Sequence, residues 1–169
     1  HTNWEAIINV PKYDINISSI SQGNSITLAE EIYTTFYMLS SNKNRIMWFN
    51  EIGGDSLGIF IYTIDSEQTT VLDARISISD ISSGDIDDHL YWGNNDILYA
   101  SLMNSDGFYS LFSLDISQNP DSFTEIVTMD TNLFLLPTQD FGHEKFLFYS
   151  NNSELDYQIW VYDIVNETF

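Results

Sequence analysis

Lys145-Phe-Leu-Phe-Tyr-Ser-Asn-Asn-Ser-Glu-Leu-Asp-Tyr-Gln-Ile-Trp-Val-Tyr-Asp163 reads as a strand, a polar turn and a second strand. Aromatic and β-branched residues fill both strands, and Asn151-Asn-Ser153 supplies the turn chemistry between them. No residue of Phe146–Tyr149 is charged, and a strand apolar on both faces needs cover on both faces. The pattern occurs twice more upstream. Arg45-Ile-Met-Trp-Phe-Asn50 leads through Gly53-Gly-Asp-Ser56 to Ile61-Tyr-Thr-Ile-Asp65. Asp96-Ile-Leu-Tyr-Ala-Ser101 leads through Asn104-Ser-Asp-Gly107 to Leu111-Phe-Ser-Leu-Asp115. The first strands start 51 and 49 residues apart. The aspartates that close the second strands, with Asp14 as a fourth copy, are Asp14, Asp65, Asp115 and Asp163, at steps of 51, 50 and 48. Two aromatic rows recur with them, Trp48/Tyr99/Phe148 and Tyr62/Phe112/Trp160.

A further strand precedes each hairpin, at Phe36–Leu39, Leu90–Trp92 and Leu133–Leu136, and another follows the first two, at Thr69–Leu72 and Thr124–Val127. Each unit is therefore predicted to hold four short antiparallel strands. Units of this kind repeating about every 50 residues predict an all-β, propeller-type domain of stacked blades. The units are approximately 1–31 (partial), 32–74, 86–129 and 130–169, in one domain over 1–169. That is about three and a half blades, an incomplete count against the four or more a ring needs. Three explanations are open: a remainder in a larger chain, a homodimer in which Ser25–Ala29 of one copy completes the last unit of the other, or an irregular count. The first is the simplest. The aromatic rows are expected to pack between neighbouring units rather than to form a stacking platform for sugars or bases. One segment has two readings, because Thr27–Glu30 has the form of a helix capping box and Leu28, Ile32, Phe36 and Leu39 keep helical spacing. A strand pair serves there as well.

Residues 140–163, opening Asp140-Phe-Gly-His-Glu-Lys145, resemble the repeat of TolB-like propellers: an Asp-Gly-type opening, a basic residue, an apolar strand ending in Ser, a polar turn, then Ile-Tyr-Val and Asp. Similar repeats occur in the propellers of prolyl-oligopeptidase-like peptidases. The match is good over one unit and partial over two, whose openings are Asn42-Lys-Asn-Arg45 and Gly93-Asn-Asn-Asp96. The resemblance implies a non-catalytic binding scaffold outside the cytoplasm, periplasmic or secreted. It carries over no catalytic residue. The propeller portion of a larger prolyl-oligopeptidase-like protein is a related alternative.

The 25 acidic side chains outnumber the 5 basic ones, for a net charge of −20. Such a surface repels nucleic-acid phosphates and anionic membranes, and suits a cation or a basic partner; solubility alone also explains it. Cysteine is absent, which excludes disulfides and thiolate chemistry. No apolar run is long enough for a helical membrane span. A start at His1 rather than Met fits a processed secreted protein or a trimmed chain. Asn16-Ile-Ser18, Asn151-Asn-Ser153 and Asn166-Glu-Thr168 match the glycosylation triplet, which arises readily by chance in a chain rich in Asn and Ser.

Three short matches suggest different chemistry. Gly54-Asp-Ser-Leu-Gly58, Gly93-Asn-Asn-Asp96 and Asp140-Phe-Gly-His143 resemble, in order, blocks of the SGNH (GDSL) esterases. That resemblance would make Ser56 the nucleophile, His143 its base, Asp140 the group orienting the imidazole and Asn95 an oxyanion donor. It also implies an α/β fold with a parallel sheet and crossover helices, whereas the segments here read as hairpins. All three matches fall in turns, where Gly, Asn, Asp and Ser gather for conformational reasons. Coincidence is the simpler account.

Asp80-Ile-Ser-Ser-Gly-Asp-Ile-Asp-Asp-His89 is dense in oxygen donors without the spacing of an EF-hand. Asp85, Asp87 and Asp88 are candidate Ca²⁺ ligands, joined near a channel mouth by Glu30, Glu31 and Asp130, which precede equivalent strands; a solvated acidic loop is the plainer reading. His89 and His143 lack a third ligand at zinc spacing. No Gly-rich phosphate loop is present. The expected contact surfaces for a protein partner or small ligand are the rim loops and the channel mouth.

Overall fold

The structure, a computed structural model, describes residues 13–18, 25–32, 37–40, 42–81, 90–93, 96–127, 133–135, 145–151, 157–163, 165–166 and 168. The chain divides into two compact units, His1–Thr35 and Phe36–Phe169. In the first, β1 (Tyr13–Ser18) pairs antiparallel with β2 (Ser25–Ile32). Side chains lock that register across the strands: Thr27 Oγ1 donates to Asn16 Oδ1 at 2.7 Å and Ser18 Oγ to Ser25 Oγ at 3.1 Å. The helical reading of Thr27–Leu39 gives way to strand over Ser25–Ile32 and Tyr37–Leu39, because a paired neighbour satisfies backbone groups that helix would otherwise satisfy locally.

The second unit holds three antiparallel meanders. Sheet I runs β3 (Tyr37–Leu39), β4 (Arg45–Glu51), β5 (Ser56–Thr63) and β6 (Gln68–Ser77) in spatial order. Sheet II runs β7 (Leu90–Trp92), β8 (Ile97–Met103), β9 (Tyr109–Asp115) and β10 (Thr124–Val127). Sheet III runs β11 (Leu133–Leu135), β12 (Lys145–Asn151) and β13 (Tyr157–Asp163). Among the described residues there is no α-helix, only single 3-10 turns at Ile78–Asp80 and Ile116–Gln118. The architecture is thus all-β, with four-stranded antiparallel sheets.

One hairpin is built three times. Arg45–Glu51 pairs with Leu57–Thr63, Ile97–Met103 with Tyr109–Asp115, and Lys145–Asn151 with Tyr157–Asp163. In each case seven residues face seven, and five lie between the innermost pair. The register is shared, but the first two turns are made differently. The first turn turns on Gly53 (φ 95°), Gly54 (φ 65°) and Asp55 (φ 56°), a left-handed run that glycine makes affordable. The second is tied by Asn104, whose Oδ1 accepts from the N–H of Asp106 and of Phe108, both at 3.0 Å, and whose Nδ2 donates to Ser110 Oγ at 2.9 Å.

Register corrects the repeat. The hairpins begin at Arg45, Ile97 and Lys145, steps of 52 and 48. Thr63, Asp115 and Asp163 are the equivalent closing residues; Asp65 lies two further on in the turn, and Asp14 is the second residue of β1 rather than its last. Trp48 therefore matches Ala100, while Tyr99 lies on the opposite face, since a one-residue slip reverses a strand's faces. The second aromatic row is Phe60, Phe112 and Trp160, each opposite the fourth residue of the preceding strand. Where the aspartate does close a strand, it caps the turn beyond. Asp115 Oδ1 accepts from the Ser117 N–H at 3.0 Å and from Ser117 Oγ at 2.6 Å, and Asp163 Oδ1 accepts from the Asn166 N–H at 3.0 Å.

The sheets stack through their faces. Met47, Phe49, Ile59 and Ile61 of sheet I share one core with Leu98, Ala100, Leu102 and Leu114 of sheet II. On the other side of sheet II, Tyr99 and Leu111 meet Tyr162 of sheet III, with Trp160 against them. Ile59, Leu98 and Leu111 are fully buried, each worth about 1.5–3 kcal/mol relative to exposure. Arg45 fastens sheet I to sheet II: its guanidinium pairs with Asp96 and lies 5.3 Å from the centroid of the Trp92 ring.

Candidate functional site

Strand β6 alternates Leu72, Ala74 and Ile76 toward the core with Asp73 and Arg75 toward solvent, so its charged residues line the outer edge of sheet I. A bulge sits opposite Gly58–Phe60, where the pairing jumps from Gly58↔Arg75 to Phe60↔Val71. Bulges turn side chains and backbone away from the plain sheet direction. The Asp73 N–H donates instead to Asn119 Oδ1 at 3.1 Å, and Asn119 Nδ2 donates back to Asp73 Oδ2 at 3.0 Å. Asn119 holds this position with φ 46°, at the end of the 3-10 turn that Asp115 caps.

This clamp brings the β9–β10 connection alongside β6 and leaves a cleft of about 300 Å³ between sheets I and II. Asp73, Arg75 and Asp80 line it from sheet I, and Asp121 and Ser122 from the facing connection. Leu102, Met103, Phe112 and Phe123 are its apolar lining. The volume lies at the small end of ligand sites. Three carboxylates against one guanidinium make the cleft net negative, and Arg75 has no ion pair among the described residues. Among the described residues no cluster of three His, Asp or Glu is placed to hold a metal ion. The arrangement suits an organic cation with an apolar body: charge against the carboxylates, hydrocarbon against the aromatic rings.

The residues singled out in the sequence do not build this site. Ser56 opens β5, and its Oγ donates to the Gly54 carbonyl at 3.3 Å. It leads into an antiparallel strand rather than a strand-to-helix turn, and no parallel strand pair occurs among the described residues. Asn95, Asp140 and His143 lie outside the described residues, as do Asp85, Asp87, Asp88 and Asp130. Of the aromatic residues, Trp48 is buried and stacks on Phe60, centroids 5.6 Å apart, and Tyr62 and Tyr99 are buried. Tyr99 packs between sheets II and III as expected, whereas Trp48 and Tyr62 are buried on the far face of sheet I. The strand expected at Thr69–Leu72 extends to Ser77 and so carries Asp73 and Arg75 into the cleft. A sequence signal that could have found them is Asn119-Pro-Asp121 after the Asp115 turn, which marks a loop able to reach sideways.

No protein-family model matches the chain, and neither does any curated protein sequence.

Proposed function

We infer that this chain is a non-catalytic, propeller-type binding module of TolB-like repeats, working outside the cytoplasm, and that the cleft between sheets I and II takes a basic segment of a protein partner. A Lys or Arg side chain enters with its stem along Leu102, Met103, Phe112 and Phe123 and its charge against Asp73, Asp80 and Asp121. The observation that carries this reading is the combination in one cleft of three carboxylates with an aromatic lining, on a chain of net charge −20. Two further features support it. The stacked meanders have the strand order of blades, and the acidic field steers cationic partners toward the surface.

Calorimetric titration with basic, neutral and acidic peptides of equal length tests the inference. The basic peptide is expected to bind, and to weaken as salt is added. Asp73→Asn combined with Asp121→Asn should lower its affinity by roughly 3–10-fold, the scale of two partly exposed ion pairs. Equal binding of all three peptides, or an affinity indifferent to both substitutions, would sink the reading.

A further inference from the structure

The three hairpins place equivalent residues at Ile59, Leu111 and Ile159, each paired with the fifth residue of the preceding strand. Their exposures are 0%, 0% and 70%. The first is covered by sheet II and the second by sheet III. Ile159 points the same way from the last sheet. Val161, at 45% exposure, matches Ile61 at 4%. Leu147 stands opposite Val161 and Tyr149 opposite Ile159, so four apolar positions share one face. At its end Lys145 and Asp163 neutralise each other in an ion pair of 3.3 Å.

We propose that this face of sheet III is a self-association surface that packs against the same face of a second copy of the chain. The argument is continuity with the stacking already present: twice within the molecule, the equivalent face is buried by another sheet of the same repeat. A second copy supplies such a sheet. At the opposite end of the stack, Ile46, Trp48 and Tyr62 on the far face of sheet I are buried, at 8%, 2% and 6% exposure, while Tyr37, Leu39 and Val71 on that same face are exposed. Face-to-face pairing about a two-fold axis uses one patch twice and closes at two copies. The inference rests on the stacking of the sheets and not on the acidic cleft.

Association has to overcome repulsion between two chains of −20, so it should strengthen with salt, opposite to the salt response expected of the cleft. Sedimentation velocity of the full chain over a concentration series, at low and high salt, is the test. The wild type is expected to dimerise at high salt. Ile159→Glu and Val161→Glu place a carboxylate at the centre of the patch and should each weaken the dimer by at least about 30-fold. Gln118→Glu, an exposed change of equal charge in sheet II's connection, should leave it intact. Both patch residues are exposed, so circular dichroism should show all three variants folded. A wild type that stays monomeric throughout, or a dimer that survives both patch substitutions, overturns the proposal.

Discussion

Sheets II and III contain the same hairpin, seven residues against seven around a five-residue turn, yet they occupy opposite situations. Sheet II lies between two neighbours, and Leu98, Ala100, Leu111 and Leu114 are shut away on its two faces. Among the described residues sheet III shares a core with sheet II alone, and Ile159 and Val161 are exposed. The same strand register therefore carries different energetic weight. The repeat sets where a side chain points; the adjacent sheet sets what that direction is worth.

The sharpest way to break this comparison is to make one substitution at its two equivalent points. Leu111→Ala should cost about 2–5 kcal/mol, the range for emptying a fully packed site. Ile159→Ala, measured in denaturant at concentrations too low for association, should stay within about 0.5 kcal/mol. Equal losses would mean that the faces are not distinguished as described. Next in size is Asn104→Ala in the turn of sheet II. It strips two backbone N–H groups and the buried Ser110 hydroxyl of their partner, and urea unfolding should register about 1–3 kcal/mol.

Arg45→Met tests the fastening between sheets I and II. Burial holds the Arg45 guanidinium below its ordinary pKa, a sign that desolvation opposes part of the gain from Asp96 and Trp92. The net loss in thermal unfolding should be only about 1 kcal/mol, as for other partly exposed pairs. The smallest effect belongs to sheet III. Hydrogen bonds from the backbone and side chain of Asn166, followed by those from Lys145 and its charge, hold the Asp163 carboxyl below the usual range. A depressed folded-state pKa adds stability above the unfolded value, near pH 3.9, and that stability disappears as pH falls through the folded value. Asp163→Asn should therefore lower stability slightly at neutral pH, where this contribution is present, and leave it unchanged at pH values below the folded pKa, so that the acid limb flattens. Melting temperature as a function of pH reads this directly.

The strands were legible in the sequence because aromatic and β-branched runs alternate with turn residues at a repeating interval. Leu90–Trp92 and Thr124–Val127 fall where the pattern put them. Phase was harder. Matching Asp96 to Arg45 and Lys145 equates polar residues at strand entries, but Asp96 lies one residue before β8. A turn of fixed length, rather than chemical similarity at the strand entry, sets which residues are equivalent, and this reversed the face assigned to Tyr99. The cleft was illegible for a different reason. Asp73 and Asp121 are 48 residues apart, and they line one cleft because a bulge frees one backbone N–H and an asparagine in a left-handed conformation receives it.

The order of the strands carries one more consequence. Within each of the three sheets every strand pairs only with its neighbours in the chain, so each sheet closes through short loops that cost little entropy. Hairpin formation can then begin at any of the three turns, and assembly proceeds by docking preformed meanders rather than by searching for distant strands. On an emerging nascent chain, sheet I can be complete before sheet III has been synthesised, with its apolar face waiting for sheet II to arrive.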